Sequence, residues 1–180
     1  KENGAGMVSS PSFRGTTAQQ TSVLWNGISV NSLFLGQTDF NSISYKEFSE
    51  IAIKPGGGSV LYGSGAIGGT IHLNNNINFK DHLNNTLQLG YGSFNTFKLN
   101  NNFNLSKGKW FAEINMNRNQ SQNDFDVKKR DWKNKNAGFF SNSLSTTLGY
   151  KINKQNSLAI FSTFFNDERH FSLVSEFQTP

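Results

Sequence analysis

Apolar and polar residues alternate through the second half of the chain in runs of about ten, the period of a β-strand whose two faces meet different surroundings. Residues 86–91 put Leu87, Leu89 and Tyr91 on one side and Thr86, Gln88 and Gly90 on the other. Residues 96–105 set Phe97, Leu99, Phe103 and Leu105 against Lys98, Asn100, Asn102 and Asn104. Residues 110–119 set Trp110, Ala112, Ile114 and Met116 against Glu113, Asn115 and Asn117, with Phe111 out of phase. Residues 140–152 set Phe140, Leu144, Leu148, Tyr150 and Ile152 against Ser141, Ser143, Ser145, Thr147 and Lys151. A fifth run, 158–165, is apolar on both sides. Before about residue 78 the grammar differs: glycine is dense and apolar runs are short.

The connections sharpen this pattern. Ser106-Lys107-Gly108-Lys109 and Asn153-Lys154-Gln155-Asn156 are tight turns, and a polar stretch over 120–138 separates the third and fourth runs. Short turn, long loop, short turn is the spacing of an outer-membrane barrel meander, although Ser93-Phe94-Asn95 is shorter than that rhythm asks. A soluble β-sandwich alternates as well. It shows charge outside, however, whereas the polar positions here are neutral Asn, Ser and Thr. Aromatics also stand near strand ends (Tyr91, Trp110, Phe140 and Tyr150), as an interfacial girdle would. The pattern favours a membrane barrel over the sandwich.

Composition changes the picture in what it excludes. Charged residues are 16% of the 180, below the ~25% of a typical soluble domain. Aromatics reach 13%, with 17 Phe, while mean hydropathy is −0.51. Such a chain is too aromatic and too weakly charged for intrinsic disorder. No 18-residue apolar run is present, so helical spans are excluded. With no Cys, there is neither a disulfide scaffold nor a thiolate metal site. The net charge of +5 does not point to nucleic acid. The densest basic run, Lys128-Lys129-Arg130, is offset by Asp124, Asp126 and Asp131. Lys1-Glu2-Asn3-Gly4-Ala5-Gly6 lacks a signal-peptide core and does not resemble the opening of a domain, so the chain is expected to begin inside one.

Candidate chemistry is sparse. Gly63-Ser64-Gly65-Ala66-Ile67-Gly68 fits the dinucleotide fingerprint, but Thr70-Ile71-His72-Leu73 after it predicts a strand where that motif needs a helix. There is no nucleophile elbow and no phosphate loop. His72, His82 and His170 lack metal-ligand spacing and are expected to be exposed or at strand ends. Asp124, Asp126 and Asp131 could gather around Ca²⁺ but lack the spacing and glycine of a hand-type loop. No enzyme and no cofactor is called for.

Four motifs then occur in order: Ser12-Phe13-Arg14-Gly15; Val23-Leu24-Trp25-Asn26-Gly27-Ile28-Ser29-Val30-Asn31; Glu50-Ile51-Ala52-Ile53-Lys54-Pro55-Gly56; and Ser59-Val60-Leu61-Tyr62-Gly63-Ser64-Gly65-Ala66-Ile67-Gly68-Gly69-Thr70-Ile71. They resemble the C-terminal half of the plug domain of TonB-dependent outer-membrane receptors. There the pieces run I-R-G, L-x-D-G-V, E-V-x-R-G-P and S-x-x-Y-G-x-x-A-x-G-G-x-I-N, with the barrel following at once. Asn26 stands where the family has Asp, yet Asn-Gly still suits a type I′ turn. Ala52 and Lys54 replace the usual Glu and Arg.

The resemblance implies a mainly β chain: residues 1–78 as plug, then 83–180 as an antiparallel transmembrane meander, about five of the family's twenty-two strands. It implies an importer in a Gram-negative outer membrane, embedded in outer-membrane lipid. A TonB complex of the inner membrane would drive it, through a short N-terminal segment absent from these residues. The cargo would be cobalamin, a ferric siderophore, haem or a glycan, with residues 3–16 resembling cobalamin receptors. A β-rich surface adhesin without transport is the alternative. The family's outward plug loops match 3–10 and 31–41, which makes Asn3, Met7, Asn31, Phe34 and Gln37 the candidate ligand-binding residues. In that reading Leu33, Phe34 and Leu35 give apolar contact, and Phe34 and Leu35 could equally anchor the loop in the plug core.

Overall fold

The structure is a computed structural model that describes residues 8–13, 15–56, 58–126 and 133–170. It divides into two compact units, Lys1–Asn76 and Ile77–Pro180.

The first unit is built on a four-stranded mixed sheet. Strands β1 (Thr21–Trp25), β2 (Ile28–Ser29), β3 (Glu50–Pro55) and β4 (Gly69–Asn74) lie in the order β2-β1-β4-β3. β1 and β2 are antiparallel neighbours across Asn26 (φ 47°) and Gly27 (φ 89°), the two positive φ values that a type I′ turn requires. β1 and β4 are parallel, with Val23 beside Ile71, and β3 closes antiparallel on β4. Val23, Ile71 and Leu73 form a buried cluster, covered by Phe13, Trp25, Val30, Phe40, Ile43 and Phe48.

On the opposite face lies the Gly-rich segment, with a four-residue helix α1 (Ser59–Tyr62). Its Tyr62 meets His72 edge-on at 5.2 Å. Gly63 to Gly68 passes through one 3₁₀ turn and leads into β4, so no helix follows the fingerprint-like glycines. Gly69 permits close approach: a Cβ there would stand 2.7 Å from the Lys54 carbonyl oxygen.

The second unit is a five-stranded antiparallel meander of β5 (His82–Gly92), β6 (Thr96–Lys107), β7 (Trp110–Ser121), β8 (Phe139–Lys151) and β9 (Ser157–Arg169). All five expected runs are strands. Register puts Leu83, Leu105, Ala112, Leu148 and Ile160 in one row across the sheet. The next rows on that face hold Phe103 and Ile114, then Leu87, Met116, Leu144 and Phe164. Leu89, Leu99 and Phe97 share this face as well.

The other face is polar on β5 to β8, with Ala159, Phe161 and Phe165 of β9 as apolar members, and on β7 and β8 it is the buried one. Ser106, Glu113, Asn115, Ser143, Ser145 and Thr147 are all buried, while Leu87, Leu89, Met116, Leu144 and Leu148 are exposed. Amide ladders join the polar face, with Asn102 donating to Glu113 at 3.0 Å and Asn117 to Ser143 at 3.1 Å.

Phe111 is out of phase because it belongs to a packed corner of the polar face. It meets Phe79 at 6.5 Å and His82 at 6.3 Å between ring centres. There the segment before β5 crosses the strands: a Cβ on Gly149 would lie 3.1 Å from Ile77, and Asp81 accepts from the Gly108 N–H at 2.8 Å.

The apolar stripe runs obliquely to the strands. On β5 and β6 it starts at Leu83 and Leu105 and reaches Tyr91 and Phe97. On β7, β8 and β9 it starts a row earlier, at Trp110, Tyr150 and Leu158. There it gives way at Arg118, Asn142 and Asn166, with Phe140 alone beyond them.

Candidate functional site

The loop after β2 is shaped by one side chain. Asn31 Oδ1 accepts from the Val23 N–H at 2.8 Å and from the Thr38 hydroxyl at 3.2 Å. Its Nδ2 donates to the carbonyls of Thr21 and Gly36, each at 2.9 Å. Both amide hydrogens and both oxygen lone pairs are thus engaged. Ser32 closes the turn inside this clamp: its carbonyl accepts from Gly36 N–H at 2.8 Å and its hydroxyl accepts from Leu35 N–H at 3.2 Å.

What the clamp presents is apolar. Leu33 and Phe34 are each 99% exposed and Leu35 59%. Phe34 and Leu35 therefore do not anchor the loop in the core; they form its tip. Gln37 is half-buried, and its side chain makes no hydrogen bond among the described residues. Asn3 and Met7 lie outside the described residues. Asn31 and Phe34 are thus brought together as holder and tip.

A second apolar group, not singled out from the sequence, stands at the same end of the sheet. Val60 and Leu61 of α1 are 93% and 78% exposed. Both segments abut Gln19: a Cβ on Gly36 would lie 3.3 Å from its side chain, and one on Gly65 3.5 Å from its carbonyl oxygen. The available signal was a pair of bulky apolar residues inside a glycine-rich stretch, with no periodic partner to bury them.

The far end of this sheet, where the chain leaves β4, is closed by amides. Asn75 Oδ1 accepts from the Trp25 indole at 2.8 Å and from Asn26 Nδ2 at 3.2 Å, while Asn26 Oδ1 accepts from Asn75 N–H at 2.8 Å. Asn26 both donates and accepts here. An Asp at that position could only accept, which gives the departure from the family pattern a physical reason.

His72 corrects the expectation of exposed or strand-end histidines. It is buried in central strand β4, with Nε2 2.9 Å from the Thr70 hydroxyl. Burial, reinforced by the nearby Lys54 charge, holds its pKa below the ordinary histidine value. His82 opens β5 and His170 follows β9. In the long loop, Asp124 is paired with Lys133 at 2.6 Å, which keeps its carboxyl below the usual range. Asp131 lies outside the described residues, and among those described no group of three or more His, Cys, Asp or Glu could hold a metal.

A mixed sheet with presented loop tips is thus followed by a meander that exposes its apolar face. Residues 1–70 match the family described as TonB-dependent Receptor Plug Domain. Two relatives described as "Vitamin B12 transporter BtuB" align with the chain. That of Vibrio vulnificus is 34% identical over 92 residues, 51% of this chain and 15% of the relative. That of Photobacterium profundum is 36% identical over 70 residues, 39% of this chain and 12% of the relative. Among solved structures, "Copper transporter OprC" superposes with a TM-score of 0.76 over 92% of this chain and 25% of that one, at 17% identity. Over residues 1–70 the chain is similar to the plug domain of TonB-dependent receptors, and it spans less than a fifth of the length of these two curated relatives.

Proposed function

We propose that the chain is part of an active importer of a Gram-negative outer membrane, with residues 1–78 as plug and 83–180 as the first strands of the barrel wall. The oblique apolar stripe on β5–β9 carries this reading. None of the described helices is long and apolar enough to cross a membrane, so the strands are the candidates. Barrel strands tilt by roughly 40° and stand about 4.8 Å apart, so a flat hydrocarbon layer meets each next strand shifted by about one residue. The stripe steps in one direction at both borders between β6 and β7, by one row at the lower border and by two at the upper. From Leu105 to Phe97 it climbs about 20 Å at such a tilt, close to the ~25 Å apolar band of outer-membrane barrels.

The cargo is a bulky solute that meets the plug at Leu33, Phe34 and Leu35, with Gln37 orienting it and Asn31 holding the loop in place. Residues 31–38 carry no charge, which suits a large ring system with apolar edges. That chemistry, with the two relatives described as vitamin B12 transporters, points to cobalamin. Energy comes from the TonB complex, whose pull displaces the plug and opens a path.

The test is uptake of labelled cobalamin by the intact receptor in TonB-competent and TonB-deficient hosts. Uptake should require TonB. Replacing both Leu33 and Phe34 with Ala should weaken cargo binding by roughly tenfold or more while barrel assembly persists. Binding without any TonB-dependent uptake would instead favour the adhesin reading.

A further inference from the structure

We propose that Arg118, flanked by Asn142 and Asn166, docks the phosphate of an outer-leaflet lipid headgroup against the outside of the wall. This rests on the barrel reading above. The three residues share one row of the exposed apolar face. The row below them holds Met116, Leu144 and Phe164, all exposed, so on β7, β8 and β9 the guanidinium stands one row past the apolar stripe, with Leu99 of the stripe beside it on β6. The end of the sheet is set by its connections. Arg118 lies toward the long 122–138 loop, at the end that also holds the three-residue turn after β5, whereas the turns after β6 and β8 lie at the other end. The longer loops of such barrels are extracellular, so Arg118 faces outward.

Its hydrogen bonds hold it flat without cancelling its charge. Nε and Nη2 donate to Gln120 Oε1 at 3.1 and 2.7 Å, and Nη1 donates to Asn142 Oδ1 at 3.4 Å. A guanidinium carries five N–H donors, so two remain in a planar fork that suits a phosphate. Among the described residues of the five strands, this face has one carboxylate, Glu168. It lies two strands away and pairs with His170 at 3.1 Å. The site is therefore a fixed, uncompensated cation beside two amide side chains. Any molecule reaching it must lie alongside the hydrocarbon, which selects a lipid headgroup over a soluble anion.

The experiment uses the intact receptor in phosphatidylcholine nanodiscs doped with bisphosphorylated lipid A, read by native mass spectrometry of retained lipid. Arg118→Gln should lower retention by about fivefold, the factor for one basic residue at an anionic surface. Arg118→Lys should keep most of it, and Asn166→Ala, a milder change, should lower it less than Arg118→Gln. Dephosphorylated lipid A should be retained no better by the parent than by Arg118→Gln. Retention indifferent to Arg118→Gln and Asn166→Ala in an inserted barrel overturns this proposal alone. So does equal competition by inorganic phosphate. Failure of the parent to insert as a barrel overturns the membrane reading, and this proposal with it.

Discussion

The two units differ in what the same type of element buries. The first buries an apolar cluster, with Thr21, Ser22, Thr70 and His72 beside it, and the second mainly its polar side. In the first, Val23 and Leu73 are 0% and 1% exposed and the sheet packs as a water-soluble domain does. In the second, Ser145 and Thr147 are buried while Leu89 and Leu148 are exposed. Period-two alternation is common to both solutions. It reports that a strand separates two environments and leaves open which of them is water. The deciding information is the chemistry of the polar side. Neutral amides and hydroxyls can satisfy one another in a ladder, as Asn102 with Asn115 and Asn117 with Ser143 do, whereas a water-facing sheet has no need to economise on charge.

The sharpest test of this contrast pairs two leucine truncations. Leu73→Ala leaves a hole in a close-packed core and should cost the first unit about 2–5 kcal/mol. Leu148→Ala opens no cavity, because the surrounding lipid fills the space, and should cost only the lost transfer free energy, about 1–2 kcal/mol. Urea-dependent proteolysis of the intact receptor measures both. Equal losses would break the comparison.

Charge inverts the ranking at the second position. Leu148→Arg should destabilise the wall by roughly 2–4 kcal/mol if it lies near mid-membrane. An arginine at Ile53, an exposed position on the edge strand β3 of the first unit, should fall within about ±0.5 kcal/mol. Reversible unfolding into and out of lipid vesicles gives the first value; a large cost at Ile53 would mean that its face is covered in the assembled receptor.

A smaller effect is expected where the strand pattern itself breaks. Gly149→Val adds bulk between Ile77 and Phe111, 3.1 and 3.3 Å from where its Cβ would stand, and should cost about 1–3 kcal/mol through overpacking. Hydrogen exchange should quicken over 77–82 first, because that segment loses its seat. Unchanged protection there would show that Ile77 is held by other contacts.

Much of this architecture was legible because each barrel strand carries its own alternation, which needs no partner to be read. The extensions were not. β5 begins at His82 through Asn84 and Asn85, and β9 continues to Arg169 through Asn166, Asp167 and Glu168. Polar residues on both faces erase the period in those stretches. The parallel pairing of β1 with β4 joins residues nearly fifty positions apart, such as Val23 and Ile71, and no local pattern encodes it. At the plug loop the apolar tip was visible as Leu33-Phe34-Leu35, but the role of Asn31 was not. An amide that bonds Thr21, Val23, Gly36 and Thr38 looks the same in sequence as one waiting for a ligand.

His72 offers the smallest and most selective probe of the difference between the units. It lies in the buried middle of β4, facing Thr70 and the edge of Tyr62. Burial and then the Lys54 charge lower its pKa, so the folded first unit disfavours the protonated ring. The unfolded chain takes up that proton near the ordinary histidine value of about 6.5. The stabilisation is therefore fully present above about pH 6.5 and declines as the pH falls below it, because protons then favour the unfolded state. The first unit should melt earlier at pH 5.5 than at pH 7.5, with no matching change in the barrel strands. His72→Gln keeps a hydrogen-bonding partner for the Thr70 hydroxyl but removes the titration, so it should flatten that pH dependence while leaving the melting point at pH 7.5 little changed. A pH dependence that survives His72→Gln would assign it to other groups of the first unit.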